Sequence, residues 1–269
     1  MKPLVFANFL APNMTAVYTE VAARVGRALA LPAELVRGDG FEPLRDGSVD
    51  VAFLCGLPYV RLCAERPGML YPLAAPILDE ARCQDRPVYF SDVIVHSDSP
   101  FQAFEDLRGR SWAYNDPDSF SGWLLVRHHL VQMGETEAFF GRLAFSGWHQ
   151  ESIRRVQAGE IDASAIDSHV LGVERLRNPD LARELRVIAT LGPSTSPLAV
   201  ATAGVRQEVR QQVRDALCEL GRQPDSRELL ASGMIRRFTP IDDSAYDDIR
   251  QVLAVVDQRR APSSSAGTR

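Results

Sequence analysis

The sequence predicts an α/β protein, and three observations carry the prediction. Short apolar runs rich in β-branched residues recur along the chain, as at residues 4–9 and 49–54. Between them, apolar residues fall at helical spacing; residues 16–30 set Val17, Val21, Val25, Ala28 and Leu29 on one side. Glycines at 47, 109 and 159 close several of these helical stretches. Strands separated by helices imply βα units and largely parallel sheets.

Taken in order, residues 4–9 read as a strand and 16–30 as a helix. A second strand covers 35–37, a short helix 41–46, and a third strand 49–54 that runs on through Gly56 to Tyr59. A helix to residue 64 and a strand at 70–77 follow. The next block opens with a strand at 87–95, then a short helix at 104–107 and a strand at 111–114. Residues 115–119, Asn-Asp-Pro-Asp-Ser, form a turn dense in N-cap residue types, and 121–133 is the helix it starts. Strands near 143–145, 161–166 and 185–190 alternate with helices at 150–158 and from 171. The last block reads as a strand at 198–203 and helices at 207–220, 227–232 and 244–258. Residues 261–269 are small and polar with no core face, so disorder is expected there. The chain is expected to leave one lobe near residues 89–94 and return near 191–198, and two such crossings make a hinge.

The 269 residues are 45% hydrophobic and 24% charged, enough for two modest lobes. A net charge of -5 argues against nucleic acid as a partner, so a bound anion would be held by local donors. None of the four cysteines sits in a CxxC pair, and no Cys/His cluster has zinc spacing. No apolar run approaches the roughly 20 residues of a membrane span. Residues 3–10 lack the basic segment and cleavage site of a leader and read as the first buried strand. There is no GxSxG elbow, Walker loop or HExxH, and Gly38-Asp39-Gly40 is too short for a nucleotide fingerprint. No cofactor or metal is expected, and no catalytic residue is assigned.

Several segments carry a more specific signal. They are Asp50-Val-Ala-Phe with Gly56-Leu-Pro-Tyr59; Tyr89-Phe-Ser91 with Ile94-Val95; and Ser99 with Phe104-Glu-Asp-Leu-Arg-Gly109. Asn115-Asp-Pro-Asp-Ser-Phe-Ser-Gly122, Ser146-Gly-Trp-His149 with Ser152-Ile153, and Val156-Gln-Ala-Gly-Glu-Ile-Asp162-Ala163 follow. In this order and spacing, from about Leu4 to about Leu220, the chain resembles the phosphonate/phosphate (PhnD-like) substrate-binding proteins of ABC transporters. The resemblance implies a type II periplasmic-binding-protein fold: a clamshell of two α/β lobes, two mixed sheets flanked by helices, and a ligand cleft between the lobes. Lobe 1 would be residues 1–90 plus 196–260, and lobe 2 residues 91–195. It implies a monomeric receptor for a small oxyanion (phosphonate, phosphite or phosphate) that is not an enzyme and feeds an ABC permease or serves as a sensor. A periplasmic or extracellular location follows by resemblance; the absence of a leader in this chain keeps the cytoplasm open.

The helix start at Ser119, Phe120, Ser121 and Gly122 offers backbone N–H groups, hydroxyls and the positive end of a dipole to an anion. Phe120 stands where the resembled family often has Thr, so it and Trp123 either form an apolar wall against an organic substituent or pack the lobe. His149 matches the family's ligand-facing histidine, where a charged or donating imidazole suits an oxyanion. Tyr59 and Tyr89 match positions whose phenols reach the ligand. Aminophosphonate-binding members place acids at positions that fall here at His169 and Ser196. Neither is acidic, which argues against a simple aminophosphonate; Asp167 lies nearby and either takes that role or caps a strand. Asp50 and Asp162 read as structural residues that open strands. The alternative is a cytosolic enzyme of cofactor or metabolite biosynthesis on the same fold, with His149 and Asp167 or His169 as its acid–base pair.

Overall fold

The structure, a computed structural model, describes residues 2–260, so the tail expected to be disordered at 261–269 lies outside the described residues. The chain runs β1 (Leu4–Asn8), α1 (Thr15–Ala28), β2 (Ala33–Arg37), α2 (Glu42–Arg45), β3 (Val51–Leu54), α3 (Gly56–Glu65) and β4 (Leu70–Leu78). It continues β5 (Val88–His96), β6 (Ser111–Tyr114), a π-turn (Phe120–Leu124) leading into α4 (Leu125–Gln132), β7 (Arg142–Phe145), α5 (His149–Gln157) and β8 (Ala163–Asp167). Then come α6 (Ser168–Arg177), α7 (Leu181–Glu184), β9 (Leu185–Thr195), β10 (Leu198–Thr202), α8 (Gln207–Leu220), α9 (Pro224–Ser232), β11 (Ile235–Pro240) and α10 (Asp247–Arg260).

These elements form two compact units. The first holds the chain up to Tyr89, Ser168–Pro179 and Pro193–Tyr246. Its six-stranded sheet has the order β11-β4-β10-β3-β1-β2. Strands β2, β1 and β3 are parallel, while β10 runs antiparallel to β3 and β4, and β11 antiparallel to β4. Helix α1 buries Val17, Tyr18, Val21, Ala22 and Val25, the helical stripe that the sequence spacing sets inward. These side chains join Phe6, Phe53, Leu217 and Leu220 in one core, with the Tyr18 and Phe53 rings 4.1 Å apart.

The second unit holds Phe90–Asp167, Asp180–Gly192 and helix α10. Its five-stranded sheet has the order β7-β6-β8-β5-β9. Strands β7, β6 and β8 are parallel and β5 is antiparallel to β8. An aromatic cluster fills its interior: Trp112 stacks on Phe140 at 4.6 Å, and Phe104 on Phe139 at 5.6 Å.

Three differences from the sequence reading have physical causes. Both sheets are mixed, as the resemblance implied, because β5, β10 and β11 run against their neighbours. Helices α6 and α10 sit in the units opposite to those expected from residues 91–195 and 196–260. The buried Val173 of α6 joins the core of the first unit, while α10 packs on α4 and donates from Arg259 to the Gly134 carbonyl at 3.0 Å. Strand β11 was not expected; its two core-facing residues, Ile235 and Phe238, lie three apart because a register shift between Ile235 and Arg237 breaks the alternation.

The same device opens the parallel part of each sheet. Asp50, before β3, accepts the Val5 N–H of β1 at 2.9 Å. Asp162, before β8, accepts the Ser111 N–H and hydroxyl of β6 at 2.8 and 2.6 Å. Removing either carboxylate strands partly buried donors. Asp50→Ala and Asp162→Ala are each expected to cost about 1–3 kcal/mol in denaturant unfolding. A loss within error of zero at both sites would show that these clasps do not hold the sheets.

Candidate functional site

In the second unit the parallel strands β6, β7 and β8 end along one edge of the sheet. Ligands of α/β sheets bind outside the carboxyl ends of strands, where helices begin. Here β6 leads to the π-turn at Phe120, β7 leads to α5 at His149, and β8 ends at Asp167. Asp167 faces Ser91 in the β5–β8 register, and the Ser91 hydroxyl donates to the Ser121 carbonyl at 2.7 Å. Six of the residues expected to bind ligand, Ser119, Phe120, Ser121, Gly122, His149 and Asp167, thus belong to one sheet edge.

Ser119 is extended and caps the π-turn, its Oγ accepting the Gly122 N–H at 3.0 Å. Ser121 is buried. The first N–H groups of a helix have no acceptor within it, which leaves donors at this end for an anion. Phe120 is 0% exposed and Trp123 stacks on Tyr114 at 4.9 Å, so both rings pack within the second unit. Gly122 is required by the protein itself: a Cβ there would lie 1.7 Å from Asn115 Oδ1. That oxygen is buried and has no hydrogen-bond partner among the described residues. Asn115 was not singled out as a site residue; only its place directly after a strand and just ahead of a helix start marked it.

His149 is the first residue of α5 and is 6% exposed. The loop before it is pinned by Ser146, whose Oγ lies 3.1 Å from the Tyr114 carbonyl and 2.6 Å from Ser152 Oγ. Gly147, at φ +86°, turns that loop in a conformation that favours glycine. His149 Nδ1 is buried with no hydrogen-bond partner among the described residues. Burial pushes its pKa down to about 3, so the imidazole is neutral at neutral pH, which leaves the donating one of the two forms expected for it.

In the first unit, β3 leads directly into α3, whose first turn carries Tyr59. The Tyr59 hydroxyl donates to Asp243 Oδ1 at 2.5 Å, and its ring meets Tyr246 edge-on at 5.0 Å. Burial, then that carboxylate, push the phenol pKa far upward. Tyr89 is 1% exposed at the end of this unit's first segment. His169 lies within hydrogen-bonding distance of the Gly233 carbonyl, Nε2 donating at 2.5 Å, and burial lowers its pKa. Ser196 is 0% exposed; its N–H donates to the Pro87 carbonyl at 2.9 Å and its carbonyl accepts from Tyr246 at 3.0 Å. Its Oγ is buried without a partner among the described residues. Among the described residues no group of three His, Cys, Asp or Glu could hold a metal ion, and no helix is long and apolar enough to cross a membrane.

Two outcomes follow from this geometry. Gly122→Ala is expected to cost about 1–3 kcal/mol, and less in an Asn115→Gly background, because the clash is with the Asn115 side chain. Equal costs in both backgrounds would refute that origin. His149 titrates near 3 when folded and near the usual 6.5 when unfolded, so protons bind the unfolded chain better. Its contribution to stability is complete above about pH 6.5 and is lost as pH falls toward 3. The ligand-free protein should therefore lose more melting temperature between about pH 7.5 and about pH 5 than His149→Gln does; identical losses would contradict this.

Known proteins resemble this chain in sequence and in fold. A family profile described as "ABC transporter, phosphonate, periplasmic substrate-binding protein" matches residues 4–246. The phosphonates-binding periplasmic protein of Escherichia coli is 20% identical over 228 residues, 83% of this chain, and the match spans 65% of that relative's length. The methylphosphonate complex of PhnD1 from Prochlorococcus marinus superposes with a TM-score of 0.83 at 16% identity, covering 96% of this chain and 99% of that one. A binding protein component of an ABC phosphonate transporter from Pseudomonas aeruginosa gives 0.85 at 18% identity, covering 100% and 91%. The periplasmic aliphatic sulphonate binding protein of Escherichia coli gives 0.66 at 16% identity, covering 100% and 96%. At these identities the structural likeness establishes the fold, that of type II periplasmic binding proteins. With the profile matched over residues 4–246, the chain belongs to the family of phosphonate-type periplasmic substrate-binding proteins of ABC transporters.

Proposed function

We propose that the protein binds a small tetrahedral oxyanion of the phosphonate, phosphite or phosphate type, unchanged, and delivers it to an ABC permease as a periplasmic monomer. The observation that carries this reading is the buried Nδ1 of His149, without a hydrogen-bond partner, at the sheet edge where the π-turn also begins. A buried polar atom with no partner is costly, and a ligand oxygen relieves that cost. With its proton on Nδ1, a neutral imidazole donates to an anionic oxygen. The Ser121 hydroxyl and the first N–H groups of the π-turn supply further donors, and Ser119 holds that turn in place. Asp167 supplies an acceptor for a ligand O–H. Tyr59, Tyr89 and His169 of the first unit are proposed as further ligand contacts, Tyr59 and His169 being held by Asp243 and Gly233.

The ligand is proposed to lack an ammonium group. His169 is neutral with one nitrogen engaged, and Ser196 carries only a hydroxyl; neither compensates a buried cation. None of these groups is proposed to act chemically on the ligand.

A calorimetric and thermal-shift series with methylphosphonate, phosphite, phosphate, sulfate and 2-aminoethylphosphonate tests the reading. A ligand at 100 times its Kd adds about 2.7 kcal/mol, which raises the melting temperature measurably. Methylphosphonate or an inorganic relative is expected to bind more tightly than 2-aminoethylphosphonate. Ser121→Ala and His149→Ala should each weaken binding at least about tenfold, or 1.4 kcal/mol. Phosphorus NMR of the recovered ligand should show it intact. Undiminished affinity in both variants would overturn the site, and tighter binding of the amino ligand would overturn the ligand class.

A further inference from the structure

A cavity lined by two arginines lies in the first unit, between the amino-terminal half of α8 and strand β4. It measures about 540 Å³ and is lined by Tyr71, Pro72, Gln207, Arg210, Gln211 and Arg214, among others. No acidic residue lines it. Arg210 and Arg214 are four residues apart on α8, so their Cα atoms are about 6 Å apart along the axis, on one face.

Both guanidinium groups are fixed in place by the protein. Arg210 lies over the Tyr71 ring at 3.5 Å and donates from Nε and one Nη to the carbonyls of Val205 and Ala203, at 2.6 and 3.3 Å. Arg214 donates from one Nη to the carbonyls of Pro72 and Ile241, at 3.1 and 3.4 Å. The same Nη lies 3.7 Å from the carboxylate of Asp242, whose side chain is 85% exposed. Those contacts leave Nη1 of Arg210, and Nε and Nη1 of Arg214, with no hydrogen bond among the described residues. Gln207, at the first position of α8, is exposed and adds an amide to the lining. Two like charges held on one helix face repel unless an anion stands between them. Arginine's planar fork presents paired donors suited to phosphoryl and carboxylate oxygens.

We propose that this cavity binds a small multivalent anion, one carrying two or more phosphoryl or carboxylate groups that reach Arg210 and Arg214 together. It is separate from the site at the edge of the second unit's sheet and does not depend on it. A cavity of this size exceeds the needs of a single tetrahedral oxyanion and suits a ligand with several anionic groups.

Titration calorimetry with inorganic pyrophosphate and with citrate tests this, using the wild-type chain and His149→Ala. Saturable binding at low-millimolar or lower concentration is expected in both proteins, weakening as salt is raised. Binding of pyrophosphate alone would make the ligand phosphoryl-bearing, and binding of citrate alone would make it a polycarboxylate. Arg210→Gln/Arg214→Gln is expected to weaken binding at least about tenfold while keeping the wild-type response to methylphosphonate. If the double variant does not fold, the exposed Gln207→Glu, which places a negative charge in the lining, should weaken binding at least about threefold. The proposal is overturned by no saturation with either anion, by unchanged affinity in the arginine variant, or by binding lost in His149→Ala and retained in the arginine variant. A failure of methylphosphonate to bind, with pyrophosphate or citrate still captured at Arg210 and Arg214, would count against the proposed function and not against this cavity.

Discussion

The parallel register of β6, β7 and β8 is the constraint from which the second unit's site follows. Once these strands run the same way, the segments that leave them begin at one edge of the sheet. The π-turn capped by Ser119, the first residue of α5 and the end of β8 at Asp167 are placed there by topology before any side-chain contact is considered. Asp162 fastens the opposite end by tying β8 to Ser111 of β6. The first unit repeats the logic: Asp50 ties the start of β3 to β1, and α3 begins directly after β3.

The electrostatics at that edge differ from a simple pairing of cation and anion. The chain is acidic overall, at -5, and none of the proposed contacts in the second unit is Lys or Arg. The donors proposed there are neutral instead: hydroxyls, the start of a helix, and an imidazole that burial keeps uncharged, with Asp167 as an acceptor beside them. Such donors stabilise an oxyanion without a fixed charge that itself needs compensation while the site is empty. The cavity beside α8 is built the other way, with two guanidinium groups at an open surface, where a charge is cheaply hydrated.

Much of the fold was legible in the sequence because it is written in local periodicity. The stripe of α1 and the bounds of α8 can be read from apolar spacing, and the turn before the π-turn from its Asn, Asp, Pro and Ser. Strand direction was not legible, since β10 has the same apolar composition in either orientation; only tertiary pairing makes it antiparallel to β3. Strand β11 was hidden by a bulge that destroys its two-residue period. The roles of individual site residues depended on partners far along the chain. Nothing near Tyr59 announces that its hydroxyl is taken by Asp243, and nothing near His169 announces the Gly233 carbonyl. The crowding of Gly122 by Asn115 and the full burial of Phe120 likewise come from packing. The resemblance marked His149 as a ligand residue, but its neutrality and its lone buried nitrogen became visible only in three dimensions.

The most direct test of the central claim is nitrogen NMR of the histidine rings during titration with methylphosphonate. The spectrum of ligand-free protein should show His149 as a neutral imidazole at neutral pH. Saturation with ligand should move the His149 Nδ1 resonance as it gains a hydrogen-bond partner, with the other ring signals perturbed far less. Saturable binding that leaves the His149 ring resonances unchanged would contradict the account, because the ligand would then be held elsewhere.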